Sequence, residues 1–161
     1  MPYRVGLGLD AHAFQEGRRL VLGGVEIPHE RGLAGHSDAD VLVHALMDAL
    51  LGACGERDIG ERFPDTDPAY RDISSLVLLE EVMGLVSEKG YRVVNVDCVV
   101  VAQEPRLSPH IPEMRSRISA FLGVPPEQVG IKATTTEGMG FTGRGEGIAA
   151  LATVLLAMQE P

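Results

Sequence analysis

Apolar residues alternate with glycine from Arg4 to Leu9 (RVGLGL), a period of two that predicts a strand. Residues two apart on a strand share a face, so Asp10 and His12 project together from its continuation. A turn at Gln15-Glu16-Gly17-Arg18 leads to a short strand, Arg19 to Leu22, and Gly23-Gly24 folds it back on Val25 to Pro28 as a hairpin. His29 to Gly35 reads as a loop. Ser37 with Asp40 fits a capping box that opens a helix from Asp38 to about Leu51, stopped near Gly52 or Gly55. His44 then falls about two turns inside that helix. Cys54 to Ala69, dense in Asp, Pro and Gly, reads as a long irregular loop of the functional or the merely solvated kind. Ser74 caps a helix to Lys89, closed by Gly90. Tyr91 to Ala102 is apolar on both faces apart from Asn95 and Asp97, as suits a central strand covered on both sides or one facing another subunit. The loop Gln103 to His110 starts a helix that reaches Leu122 and ends at Gly123. Val129 to Ala133 is a last strand, delivering Thr134-Thr135-Thr136-Glu137 into a glycine-rich loop. Ile148 to Met158 is apolar nearly all round and predicts a buried helix. Without repeats or a linker, the pattern predicts one α/β (α+β) domain over 1–161, a mixed sheet packed with helices on one side.

Composition narrows the functions. With 161 residues the chain holds one sizeable core. A net charge of −9 sets it against the phosphate backbone of DNA or RNA, so no nucleic acid is expected as a partner. Any phosphate ligand must be held by local devices: metal ions, backbone amides or a few placed cations. Cys54 and Cys98, far apart in apolar company, read as free thiols in a reducing compartment. No signal peptide is legible, and the longest apolar run is too short to span a bilayer, so a cytoplasmic protein off the membrane is expected.

Asp10, His12 and His44, an acid and two imidazoles on two rigid elements, make a three-ligand set for a divalent ion with the fourth position open. The alternative is a turn-capping Asp10 and a core His44. Asp48, one turn after His44, is placed either to orient the imidazole or to face solvent. Gly6-x-Gly8 lacks the rest of a dinucleotide fingerprint, and no Walker lysine motif is present.

Five segments occur in one order: Asp10-Ala11-His12-Ala13-Phe14; His36-Ser37-Asp38-Ala39-Asp40 with His44; Asp58-Ile59-Gly60 with Phe63-Pro64-Asp65; Pro109-His110-Ile111-Pro112; and Lys132-Ala133-Thr134-Thr135-Thr136-Glu137 leading to Gly140-Phe141-Thr142-Gly143-Arg144. In this the whole chain resembles the 2-C-methyl-D-erythritol 2,4-cyclodiphosphate synthase family of the non-mevalonate route to isoprenoids. The resemblance implies a phosphorus-oxygen lyase. It would cyclise 4-diphosphocytidyl-2-C-methyl-D-erythritol 2-phosphate by attack of the 2-phosphate on the β-phosphorus, releasing CMP. A metallohydrolase of a nucleoside diphosphate and a ligand-binding trimer with a structural metal are the competing readings.

Carried over residue by residue, the resemblance implies Asp10, His12 and His44 as ligands of Zn²⁺ (or Mn²⁺), and Glu137 as a holder of Mg²⁺ or Mn²⁺ on the diphosphate. His36 and Thr135 would flank the phosphates and stabilise the transition state. Ser37, Asp58, Ile59, Gly60, Phe63 and Asp65 would receive the methylerythritol phosphate. Ala102, Arg106, Leu107, Ser108, Lys132, Ala133 and Thr134 would recognise the cytidine and its phosphates, with Arg106 where many relatives carry lysine. A homotrimer is implied, with sheets around the central axis and sites between subunits. Phe141 and Arg144 would lie at that axis, Arg144 paired with Glu146, closing an apolar cavity suited to a prenyl diphosphate.

Overall fold

The structure, a computed structural model, describes residues 2–161. Its main sheet has five strands: β1 (Tyr3–Glu16), β4 (Arg31–Leu33), β5 (Tyr91–Val101), β6 (Val129–Thr134) and β7 (Gly147–Met158), in the order β4-β1-β7-β5-β6. β7 runs antiparallel to both β1 and β5, while β5 and β6 are parallel, so the sheet is mixed as expected. A separate hairpin, β2 (Leu20–Leu22) with β3 (Val25–Ile27), turns at Gly23-Gly24 as the sequence suggests.

The C-terminal run is a correction: Gly147–Met158 is a strand, not a helix. It is the central strand, with Ala150 paired to Asp10 on one side and Val100 on the other. Ile148, Ala150, Ala152, Val154 and Leu156 are buried on one face, and Leu151 points to the other. A strand apolar on both faces loses its period-two signal, and an apolar run alone does not separate it from a buried helix.

The long helix α1 (Val41–Ala53) lies on β1 and β7, with α3 (Ser75–Glu88) and α4 (Ile111–Leu122) on the same side of the sheet. Gly6 and Gly8 set how close α1 comes. A Cβ built on Gly6 would sit 1.8 Å from the Ala49 carbonyl oxygen, and one on Gly8 1.9 Å from that of Ala45. The two glycines therefore serve helix–strand packing, which brings His44 down onto the face carrying Asp10 and His12. The opposite face of β1 stays apolar and open, with Val5, Leu7 and Leu9 at 74%, 67% and 64% exposure.

Several boundaries differ from expectation. The N-cap of α1 is Asp40, not Ser37: its carboxylate accepts from the Val43 amide at 3.1 Å, and also from the Gly23 and Gly24 amides. One carboxylate thus caps the helix and holds the hairpin, and His44 lies one turn in rather than two. The predicted loop at 29–35 contains β4, which exists by pairing with the end of β1. The predicted irregular segment contains α2 (Ile59–Arg62), capped by Asp58, and a 3₁₀ turn, Pro68–Tyr70, capped by Asp67. Ser74 caps α3, and Gly123 ends α4 in the left-handed conformation, as expected. The glycine-rich loop carries one short helix, α5 (Gly140–Gly143).

A candidate metal centre beside a cleft

Asp10 and His12 project from β1 toward α1, and His44 reaches them from the first turn of that helix. His12 Nε2 lies 2.9 Å from Asp10 Oδ2, His44 Nδ1 3.2 Å from the same oxygen, and the two nitrogens 3.2 Å from each other. Tetrahedral zinc with bonds of about 2.05 Å separates its ligand atoms by about 3.3 Å, close to this triangle. The far ring nitrogens are engaged elsewhere. His12 Nδ1 donates to the Ala34 carbonyl at 2.6 Å, and His44 Nε2 is hydrogen-bonded to Ser75 Oγ and Ser37 Oγ at 3.0 and 3.1 Å. The inward nitrogens, His12 Nε2 and His44 Nδ1, are thus the ones that turn lone pairs to the centre of the triangle once deprotonated, as metal ligands require. The group fits a divalent ion.

The electrostatics are those of a tight pair of opposite charges. Burial penalises the Asp10 carboxylate, but hydrogen bonds from His12 and His44 outweigh it and hold its pKa well below the carboxylate range. Burial likewise works against a charged His12, while the hydrogen bond and the charge of Asp10 prevail and raise its pKa. Asp48 does not orient His44. Its carboxylate accepts from the Ile59 amide at 2.8 Å and anchors the start of α2, and burial raises its pKa.

A cleft of about 310 Å³ opens beside the triad, lined by His12, His36, Ser37, His44, Ile59, Gly60, Phe63 and Asp65. All but Asp58 of the predicted methylerythritol phosphate set lie here; Asp58 sits one residue outside as the cap of α2. His36 Nε2 donates to the Asp67 carbonyl at 2.7 Å, which fixes its ring at the cleft wall. A second cleft, of about 560 Å³, lies past the ends of β5 and β6, lined by the turn 102–108 with Ala133, Thr134 and Thr135. It gathers Ala102, Arg106, Leu107 and Ser108 of the predicted cytidine set, and Arg106 Nε donates to Ser108 Oγ. Lys132 instead pairs with Asp97 on the sheet surface.

Glu137 stands outside the triad, in a left-handed turn at φ 53° whose amide donates to Thr135 Oγ1. Phe141 and Arg144 line neither cleft. Phe141 is exposed, and Arg144 pairs with Glu146 at 2.8 Å as expected. Sequence reasoning missed Ser75, Tyr70 and His29: Ser75 touches His44, Tyr70 lines the smaller cleft, and His29 the larger. Ser75 follows a capping serine, and that neighbour absorbed the only local signal.

A mixed sheet with helices on one face, an Asp-His-His cluster able to hold a metal ion and two separate clefts fit an enzyme acting on a small molecule. Residues 3–157 match the YgbB family. Curated relatives named 2-C-methyl-D-erythritol 2,4-cyclodiphosphate synthase include that of Syntrophomonas wolfei, 63% identical over 95% of this chain and 98% of its own, and that of Moorella thermoacetica, 61% identical over 98% and 96%. Among solved structures, the bifunctional IspDF of Campylobacter jejuni superposes with a TM-score of 0.94 at 44% identity, covering 98% of this chain and 43% of that one. A Plasmodium falciparum IspF in complex with CDP superposes at 0.86 and 33% identity, covering 98% and 97%. The chain belongs to the 2-C-methyl-D-erythritol 2,4-cyclodiphosphate synthase family, as an enzyme of its cyclising, isoprenoid-forming kind.

Proposed function

We propose that the protein binds 4-diphosphocytidyl-2-C-methyl-D-erythritol 2-phosphate between the smaller cleft of one copy and the larger cleft of a neighbouring copy, and closes the eight-membered ring by in-line displacement. An oxygen of the 2-phosphate forms a bond to the β-phosphorus. The bond from that phosphorus to the bridging oxygen breaks, and CMP leaves with the bridging oxygen and its electrons. No protein nucleophile is consumed, so the residues act by placement and charge. The observation that carries this reading is the Asp10-His12-His44 triangle opening directly into the smaller cleft.

Asp10, His12 and His44 would hold Zn²⁺ or Mn²⁺, and Glu137 would help hold Mg²⁺ or Mn²⁺ at the diphosphate. Such ions would withdraw charge from the phosphate oxygens. Ser37, with Gly60 and Asp65, receives the sugar phosphate end in the smaller cleft; the turn 102–108 with Thr134 receives the cytidine end. His36 and Thr135 reach the phosphates from opposite clefts and favour the transition state, so Thr135→Ala should lower kcat more than it changes KM.

The triad and the nucleotide cleft are two to three strand spacings apart within one chain, about 10–14 Å, because β7 lies between β1 and the ends of β5 and β6. A homotrimer built on the open face of β1 would set one subunit's triad against its neighbour's nucleotide cleft. Phe141 and Arg144 would then ring the axis, where a prenyl diphosphate could place its phosphates on Arg144 and its tail in the apolar interior. The reaction belongs in the cytoplasm; among the described residues no helix is long and apolar enough to cross a membrane.

Product analysis tests the assignment. With Zn²⁺ and Mg²⁺ present, ³¹P NMR should show the cyclic diphosphate forming in step with CMP. Hydrolysed diphosphate with CMP, or unchanged substrate, would overturn it.

A further inference from the structure

We infer that Asp38 and Ser75 are positioning residues that lock the tautomer of His44. The inference rests on the metal reading of the Asp10-His12-His44 group. Ser75 is fully buried at the first position of α3. Its Oγ lies 2.5 Å from Asp38 Oδ1 and 3.0 Å from His44 Nε2. A hydroxyl has one hydrogen and several acceptor directions. The carboxylate of Asp38 offers only acceptors, so the hydrogen of Ser75 goes to Asp38, and Ser75 must accept from His44. His44 Nε2 therefore carries the proton and Nδ1 presents a lone pair, 3.2 Å from Asp10 Oδ2 and from His12 Nε2.

Asp38 is itself fixed. Its Oδ2 accepts from the Ser75 amide and its Oδ1 from the Asp40 amide, each at 3.1 Å. The carboxylate thus ties the loop before α1 to the first turn of α3, and the direction of one hydroxyl hydrogen follows from that tie. Ser37 Oγ, the second neighbour of His44 Nε2 at 3.1 Å, has no such constraint. It also accepts from the Ala39 amide, and its own hydrogen stays free for the cleft it lines. The two serines touch the same nitrogen with different duties: Ser75 sets the ring and Ser37 can turn toward a bound phosphate.

Asp38→Asn removes one acceptor and adds a donor. An amide hydrogen pointed at Ser75 would reverse the hydroxyl, let it donate to His44 Nε2, and move the ring proton to Nδ1, where it blocks the metal. Ser75→Ala removes the relay and leaves only Ser37 to hold the ring.

The test combines ring ¹⁵N NMR of metal-free protein, at alkaline pH where imidazole is neutral, with Zn²⁺ competition against a chromophoric chelator. Wild-type His44 should be protonated at Nε2. Ser75→Ala and Asp38→Asn should bind Zn²⁺ about 10- to 100-fold more weakly, with mixed tautomer signals and an unchanged circular dichroism spectrum. Ser75→Thr, which keeps the hydroxyl, should recover affinity. A wild-type His44 protonated at Nδ1 would overturn the inference even if both variants failed to fold. So would wild-type Zn²⁺ affinity in folded Ser75→Ala. Wild-type protein that takes up no Zn²⁺ would end the metal reading, and the ring spectrum would still decide the relay.

Discussion

At the scale of single residues, two carboxylates do different things because of what surrounds them. Asp10 stays charged beside two imidazoles and belongs to the site. Asp40 is fully buried, and that burial, with the charge of Asp38 adding, raises its pKa to about 6 against three opposing amide donors. Asp40→Ala would strand those donors and uncap α1, at about 1–3 kcal/mol for a buried donor left unsatisfied and about 1 kcal/mol for the cap. We expect chemical denaturation to show a loss of at least about 2 kcal/mol, larger than for Ala at the half-buried cap Asp67, whose carboxylate accepts from the Ala69 amide alone. His44→Ala leaves two of three ligands and should abolish activity and Zn²⁺ uptake while the fold survives. Full metal content in that variant would refute the ligand assignment. Cys98 is fully buried, and burial pushes its thiol up to about 12. A thiol reagent at neutral pH should therefore leave Cys98 unmodified in native protein and label it after unfolding.

At the scale of elements, the site depends on the closeness of α1 to β1. The Gly6 and Gly8 positions leave room for the Ala49 and Ala45 carbonyls and for nothing more. Gly8→Ala must push α1 outward and carry His44 away from Asp10. Overpacking of this kind costs about 1–3 kcal/mol, and here it should also weaken Zn²⁺ binding although Gly8 touches no ligand atom. Gly17→Ala is the control: its positive φ carries the usual backbone cost, but nothing lies within 4 Å of a built Cβ. A Gly8→Ala protein with unchanged melting temperature and Zn²⁺ affinity would refute the role of this close approach in placing His44.

At the scale of the whole molecule, the open face of the sheet is the feature a lone chain does not explain. Val5, Leu7 and Leu9 form a row of large apolar side chains on a strand whose other face carries the site. Burying that row against neighbouring copies removes apolar surface from water at about 25 cal/mol per Å². The mass measured by light scattering should be three times that of the chain. Leu7→Glu puts a charge on the open face without touching α1, so it should lower the mass toward one chain and abolish catalysis while keeping the secondary structure. A wild-type monomer would end both the assembly and the shared site.

Local features were legible in the chain: the period of β1 that sends Asp10 and His12 to one face, the caps at Ser74 and Gly123, the hairpin at Gly23-Gly24, and the ordered segments that carry the family resemblance. These depend on near neighbours in the chain and on the residue types present. Tertiary structure decided what distant segments do to one another. It made the apolar run at 147–158 a strand, because β1 and β5 flank it and cover its polar backbone, a fact absent from its own composition. It turned Gly6 and Gly8 into the floor under α1 and moved Asp48 from His44 to α2. It also brought Asp38 and Ser75 to the back of His44; a hydrogen bond between residues 37 apart leaves no local pattern.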